Sequence, residues 1–338
     1  MKRFCVIFFL VFLLIDAYLL YYIFFLYPNM SGEMGFVGQI PFGRQYMDSI
    51  KQIYDPQKFR VYHLNDGDSV TSKILVFGDS FSHFKKYGYS QVIGETFDVD
   101  IQDISTTSSP EQSFIQYAKN GLIPRGTIVI IESVERNFVG RLKAIKLDEN
   151  YIPKIRGEQV LMSDMEESPR VSLSSALNYI RRRLGIKQYV LSYSTTVDLF
   201  SHSSFHNKLF IFNSQNRWDY DGDLLFLDDE NMDYSAIYEN LYTLYSIAES
   251  HQIHLVYLVA ADKYDVYEPF ITSNHPTNPT LNDLPTESWI INTKPLLQEA
   301  AYNGIKDVYY INDTHWSPIG AKIVGEEVAK RIIDLYMN

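Results

Sequence analysis

The chain has 338 residues, and its 30 Lys and Arg against 41 Asp and Glu give a formal net charge of −11. That balance excludes a nucleic-acid binder, which needs a basic face to neutralise phosphates, and docking of the soluble part on anionic lipid. The single cysteine, Cys5, excludes an intramolecular disulfide and a multi-cysteine metal site, while 46% hydrophobic residues suffice for a sizeable core.

Met1-Lys2-Arg3 precedes an apolar run over residues 4–27 in which Asp16 is the only charge. Roughly twenty apolar residues cross a bilayer, and no small-residue cleavage site follows. Residues 1–28 are therefore expected to form one uncleaved transmembrane helix. Lys2 and Arg3 keep its start in the cytoplasm, which places the rest of the chain outside the cell membrane. Asp16, near mid-membrane, either faces a partner helix or stays protonated or hydrated. Residues 29–70, rich in Gly, Pro and polar side chains, read as linker and lead-in.

An alternating pattern then begins. Residues 73–77 (KILVF) are a short apolar run stopped by Gly78, as in a buried strand. Residues 99–104 read as a second strand, 112–120 as a helix closed by Gly121, and 127–131 as a third strand behind Gly126. A long helix at 234–251 leads into a strand at 253–260. Residues 293–303 form a helix ended by Gly304, 308–311 the last strand, and 319–336 an amphipathic closing helix. Strands alternating with helices predict an α/β fold over 71–338, a three-layer α/β/α sandwich of the flavodoxin-like kind with a mainly parallel sheet. Residues 140–232 break the rhythm and are expected to be an insertion near the substrate end. Their acidic part, 219–230, lacks the register of a calcium loop and reads as a solvated turn.

Two segments carry chemistry. In KILVFGDSFS, Ser80 lies just past a buried strand end, with Gly78 and Asp79 before it. In open α/β sheets, sites form outside the carboxyl ends of strands, where free N–H groups are available to a developing oxyanion. In YYINDTHWSP, Asp313 and His315 follow another predicted strand, and Ser317-Pro318 opens a helix. Both loops fall on one sheet edge. Asp313 then holds Nδ1–H of His315 while Nε2 faces Ser80, the role division of a Ser-His-Asp triad. His83, His202, His206, His254 and His275 show no metal spacing with acids, so neither metal nor cofactor is expected.

Gly78-Asp79-Ser80-Phe81, followed near the C-terminus by Asp313 and His315, resembles the SGNH hydrolase superfamily. More closely, Asp313-Thr314-His315-Trp316 is similar to the Asp-His-His-Trp signature of the alginate and related polysaccharide O-acetyltransferases. TIVIIESVERNF, with Glu132, Glu135 and Arg136, resembles a Glu-x-x-x-Arg segment of that group, and VYLVAADKYDVY, with Lys263 and Tyr267, a strand ending in a Lys-containing loop. The resemblance covers roughly residues 70–140 and 235–335. It departs from the family where the usual Asn of the third block falls near Glu135 and the Gly of the second in residues 105–109. It departs also in order, because the alginate proteins carry the Asp/His motif earlier in the chain.

The resemblance implies an O-acetyltransferase that moves acetyl through Ser80 onto an extracytoplasmic polysaccharide, supplied by a membrane-bound O-acyltransferase partner. Asp79, Thr107, Arg136, Lys263 and Trp316 are candidates for oxyanion or substrate binding. Three of them have a plainer reading: Arg136 paired with Glu132 or Glu135, Lys263 a solvated loop residue, Trp316 a seal beneath the triad. An esterase working on glycan or lipid uses the same triad, and a catalytically silent glycan-binding module keeps the same fold.

Overall fold

The computed structural model describes residues 2–21, 50, 58–65, 70–82, 87–105, 109–147, 160–161, 193–194, 210–211, 234–270, 281–282, 284–310 and 314–337. In chain order these form α1 (Lys2–Tyr21), β1 (Val61–Asn65), β2 (Ile74–Phe77), α2 (Tyr89–Phe97), β3 (Ile101–Ser105), α3 (Pro110–Lys119), β4 (Ile128–Val134) and α4 (Glu135–Lys143). There follow β5 (Val160–Leu161), β6 (Tyr193–Ser194), β7 (Phe210–Ile211), α5 (Tyr234–Ser250), β8 (His254–Ala260), α6 (Lys263–Tyr267), β9 (Ile290–Asn292), α7 (Thr293–Tyr302) and α8 (Pro318–Tyr336).

The fold is α/β. Six strands pair in parallel in the order β1-β3-β2-β4-β8-β9, and β5 adds to the β1 edge antiparallel. Every residue of β2 and β4 is buried, which is why β2 and residues 128–131 of β4 read as unbroken apolar runs: both faces are covered. Helix α8 packs on α2, and α3 and α4 pack on α5. The α2–α8 contact is close because of Gly325. A Cβ there would lie 2.6 Å from Val92 Cβ and 2.9 Å from the Tyr89 carbonyl oxygen. Pro318 and the Ser317 cap, whose Oγ accepts the Ile319 N–H at 3.0 Å, start α8 where the sequence places it.

Register positions the site. Phe77 pairs with Ile131, so β4 runs three residues past the end of β2 and carries Glu132, Ser133 and Val134 alongside Gly78 and Asp79. Val134 pairs with Ala260, so β4 and β8 end level, and Glu135 and Arg136 meet the Asp262 loop. Strand order reverses around β2, where chains of this class open a crevice at the carboxyl ends.

Several expectations are corrected. Residues 61–65, assigned to the linker, form β1 beside β3. The second predicted strand lies at Ile101–Ser105. The predicted strand at 308–311 is not a sheet strand in its described residues, since Tyr309 makes only an isolated antiparallel bridge to Trp316. The last strand is instead β9, three residues long and so too short to show a period. The predicted insertion begins inside α4 and contributes β5 and the β6–β7 pair. The rest of it, most of the predicted linker, and the acidic 219–230 segment lie outside the described residues.

Among the described residues no helix is long and apolar enough to cross a membrane. The apolar part of α1, residues 4–21, rises roughly 27 Å at 1.5 Å per residue, short of a hydrocarbon core of about 30 Å. The apolar run continues to Tyr27, outside the described residues.

Candidate active site

Ser80 is exposed and sits at the second position of a tight turn, 79–82, closed by the Ser82 N–H on the Asp79 carbonyl at 3.0 Å. The next described helix along the chain, α2, starts only at Tyr89. Gly78 is required for space rather than for an unusual turn. A Cβ there would lie 1.9 Å from Ser82 Oγ and 3.0 Å from Glu132 Oε2.

Asp79 anchors this turn. Its Oδ1 accepts the Phe81 N–H at 3.1 Å, and its Oδ2 accepts the Val134 N–H at 3.0 Å and Arg141 Nη1 at 2.7 Å. Its own N–H donates to Glu132 Oε2 at 3.0 Å, which also takes Ser82 Oγ at 2.8 Å. Two carboxyl groups thus lie together, and their surroundings part them. Burial alone pushes the Asp79 carboxyl up, but the Arg141 charge and three donated hydrogen bonds outweigh it and hold it below its usual range. Burial and the neighbouring Asp79 charge drive the Glu132 carboxyl well above its usual range. The carboxylate of Asp79 is spent on the protein itself, which makes it a brace for the turn rather than a substrate ligand.

His315 comes from a tight loop ahead of α8. Tyr310 N–H donates to the His315 carbonyl at 3.1 Å, and Ser317 N–H to Val308 at 3.0 Å. The imidazole packs on Phe81, the residue after Ser80, with ring centroids 4.8 Å apart. The structure therefore brings Ser80 and His315 to one end of the sheet. Asp313 and Thr107 lie outside the described residues.

Trp316 is buried, at 2% exposure. Its indole packs edge-on to Phe81 at 4.8 Å and near Tyr89, and its N–H donates to Tyr309 OH at 3.0 Å. No ring face remains for a sugar, so it seals the site from below. The Tyr309 hydroxyl in turn donates to the Ala261 carbonyl at 2.7 Å, which ties the His315 loop to the end of β8.

Two further candidates are buried. The Arg136 guanidinium meets Asp262 of the loop after β8, with both side chains at 6% exposure or less. Lys263 is fully buried rather than solvated, and Nζ donates to the Tyr310 carbonyl at 2.7 Å. Glu135 accepts the Asp262 N–H at 2.8 Å; burial, with the charges of Asp265 and Asp262, pushes its carboxyl well up. Among the described residues no group of His, Cys, Asp and Glu is arranged to hold a metal ion. A cavity of about 490 Å³ lies elsewhere, along α5 beside Glu239, Tyr242 and Ser246, and includes none of these residues.

Sequence reasoning missed Arg141, which sits five residues after Arg136 on the same short helix. Nothing in the segment ERNFVGRLK separates the two arginines; only the fold directs one to Asp262 and the other to Asp79. It missed Phe81 and Glu111 as well. Glu111 is buried on α3 and accepts the Tyr257 hydroxyl at 2.8 Å. No family model, curated protein or solved structure matches the chain.

Proposed function

We propose that the chain is a serine-nucleophile acyl-transfer enzyme of the SGNH type, an O-acetyltransferase acting on an extracytoplasmic glycan. The observation that carries this reading is the contact between His315 and Phe81 at 4.8 Å, beside an exposed Ser80 on a braced turn. The strand order β3-β2-β4-β8-β9, numbered from β2 as first, is the 2-1-3-4-5 order of flavodoxin-like sheets, and it supports a three-layer sandwich.

Ser80 Oγ attacks the acyl carbonyl while His315 takes its proton. The tetrahedral adduct collapses, the donor's leaving oxygen receives that proton, and an acetyl-Ser80 ester remains. An acceptor hydroxyl then gives its proton to His315 as it attacks the ester; the adduct collapses, His315 returns that proton to the departing Ser80 Oγ, and the product ester leaves. Asp313 orients His315 throughout. Acetyl reaches the site from a membrane-bound O-acyltransferase partner, and α1 with the apolar residues that follow it anchors the chain, N-terminus in the cytoplasm. The exposed apolar side chains of α1, Phe4 at 72% and Leu14 at 70% among them, support this anchor.

A second reading, an esterase, is favoured by the exposure of Ser80, which admits water as the acceptor. The full chain in detergent, given an activated acetyl ester and candidate polysaccharides, separates the two by mass spectrometry. Acetylated glycan supports transfer, free acetate alone supports hydrolysis, and an unreactive Ser80 defeats both.

A further inference from the structure

Arg136, the arginine singled out in the sequence, is committed to Asp262, and a different arginine reaches the turn that carries Ser80. We propose that Arg141 is a positioning residue for Ser80, acting through Asp79; the inference rests on the serine-nucleophile reading above.

Arg141 Nη1 donates to Asp79 Oδ2 at 2.7 Å and to Ser133 Oγ at 2.9 Å. One guanidinium group thus joins the last turn of α4 to the end of β4 and to the residue before the serine. Through Asp79 the hold extends further. The same carboxylate fixes the Phe81 N–H on the other side of Ser80, so both neighbours of the nucleophile are pinned by one group. Phe81 carries the second consequence, because its ring is the surface on which His315 rests. The spacing of nucleophile and base therefore depends on where Asp79 sits, and Arg141 keeps it there.

Asp79 also stands beside a second carboxyl, Glu132, whose side chain is fully buried. Two carboxyl groups this close do not both ionise without a cation. With Arg141 present, Asp79 is the charged member and accepts three donors. Without it the pair shares a proton, the Val134 and Phe81 amides lose a charged acceptor, and the turn is free to shift. A misplacement of about 1 Å is enough to slow an oriented reaction roughly a hundredfold.

The test is labelling of the full chain in detergent by a fluorophosphonate. Ser80 Oγ forms the bond to phosphorus, fluoride leaves, and the hydroxyl proton passes to His315. In Arg141→Met the limiting rate kinact is expected to fall about a hundredfold with KI unchanged. Its pH profile should gain an ionisation from the uncompensated Asp79–Glu132 pair that the wild type lacks. Millimolar guanidinium ion should restore part of the rate, which a merely less stable protein would not show. A wild-type kinact and pH profile in the folded Arg141→Met protein overturn the proposal. Should that variant fail to fold, Arg141→Lys decides, since it keeps a charge for Asp79 but presents it in a different geometry. A reduced kinact at wild-type KI supports the proposal, and a wild-type kinact overturns it. The parent reading is checked separately on the unmutated chain and Ser80→Ala. Label found at another residue, or none, removes that reading and this inference with it.

Discussion

The ring of His315 rests on the ring of Phe81, and the same phenyl packs edge-on to Trp316, each at a centroid distance of 4.8 Å. Phe81 is 1% exposed and directly follows Ser80, so one apolar side chain couples the loop of the candidate nucleophile to the loop of the candidate base. Truncation should act on both. Phe81→Ala is expected to cost about 3–5 kcal/mol in stability, as for other buried phenylalanines. The folded fraction should also lose most of its labelling rate at Ser80, because the imidazole loses its seat. Phe81→Leu, which keeps an apolar surface, should retain more of both. Denaturant melts and labelling rates on the two variants check this; a full labelling rate in folded Phe81→Ala would contradict it.

Stability should depend on pH through the buried acids. Glu132 and Glu135 both hold carboxyls raised well above their usual range by burial and neighbouring charges. Each takes up a proton on folding. Their contribution is fully present below an unfolded value of about 4 and is lost as pH rises through the raised folded values. Asp79 has the opposite sign: its lowered value gives stability above its unfolded value that is lost as pH falls through the folded one. The melting temperature should therefore decline from the mildly acidic range toward alkaline pH. Glu132→Gln should flatten that decline, since the amide keeps an oxygen for Ser82 and the Asp79 amide but cannot ionise. An unchanged slope in Glu132→Gln would show that Glu132 is ionised in the folded protein.

Local chemistry made part of this legible. The buried strand before Gly78, the Ser317-Pro318 helix start and the helix stops at Gly121 and Gly304 are short-range signals. Those two glycines have φ of 66° and 79°, a conformation that only glycine adopts freely. Longer-range choices left no such trace. Arg141 meets Asp79 across 62 residues of sequence and Arg136 meets Asp262 across 126. Which carboxylate an arginine takes is set by strand register: β4 outruns β2 and ends level with β8. Strand β9 failed for a different reason, since three residues carry no period, and β1 was hidden by the polar residues around it.

Arg136 should behave as a structural residue. Its guanidinium and its backbone N–H both serve Asp262, and the pair is almost fully buried. Removing one partner of such a pair leaves an uncompensated charge and costs about 3–5 kcal/mol. Arg136→Ala is thus expected to lower stability by that order while turnover of the folded fraction persists. Normal stability with turnover reduced about a hundredfold, the signature of a lost oxyanion donor, would return Arg136 to the catalytic machinery.

Lys263 tests whether the His315 loop is held from beneath. Its Nζ donates to the carbonyl of Tyr310, and the N–H of Tyr310 donates to the carbonyl of His315. The ammonium therefore grips the residue that closes the loop, from a position with no exposure through which to touch a substrate. Lys263→Met fills much of the same volume and removes the donor. It leaves the Tyr310 carbonyl without that partner, at a cost of about 1–3 kcal/mol, and should loosen the loop at the same time. Two readouts then separate support from contact. A positioning role lowers kcat at nearly constant KM, because His315 is misplaced once substrate is bound. A substrate contact raises KM at constant stability. The first pattern, together with a lower melting temperature, is the expected outcome; a raised KM on an undiminished melting temperature would mean that Lys263 reaches the ligand after all.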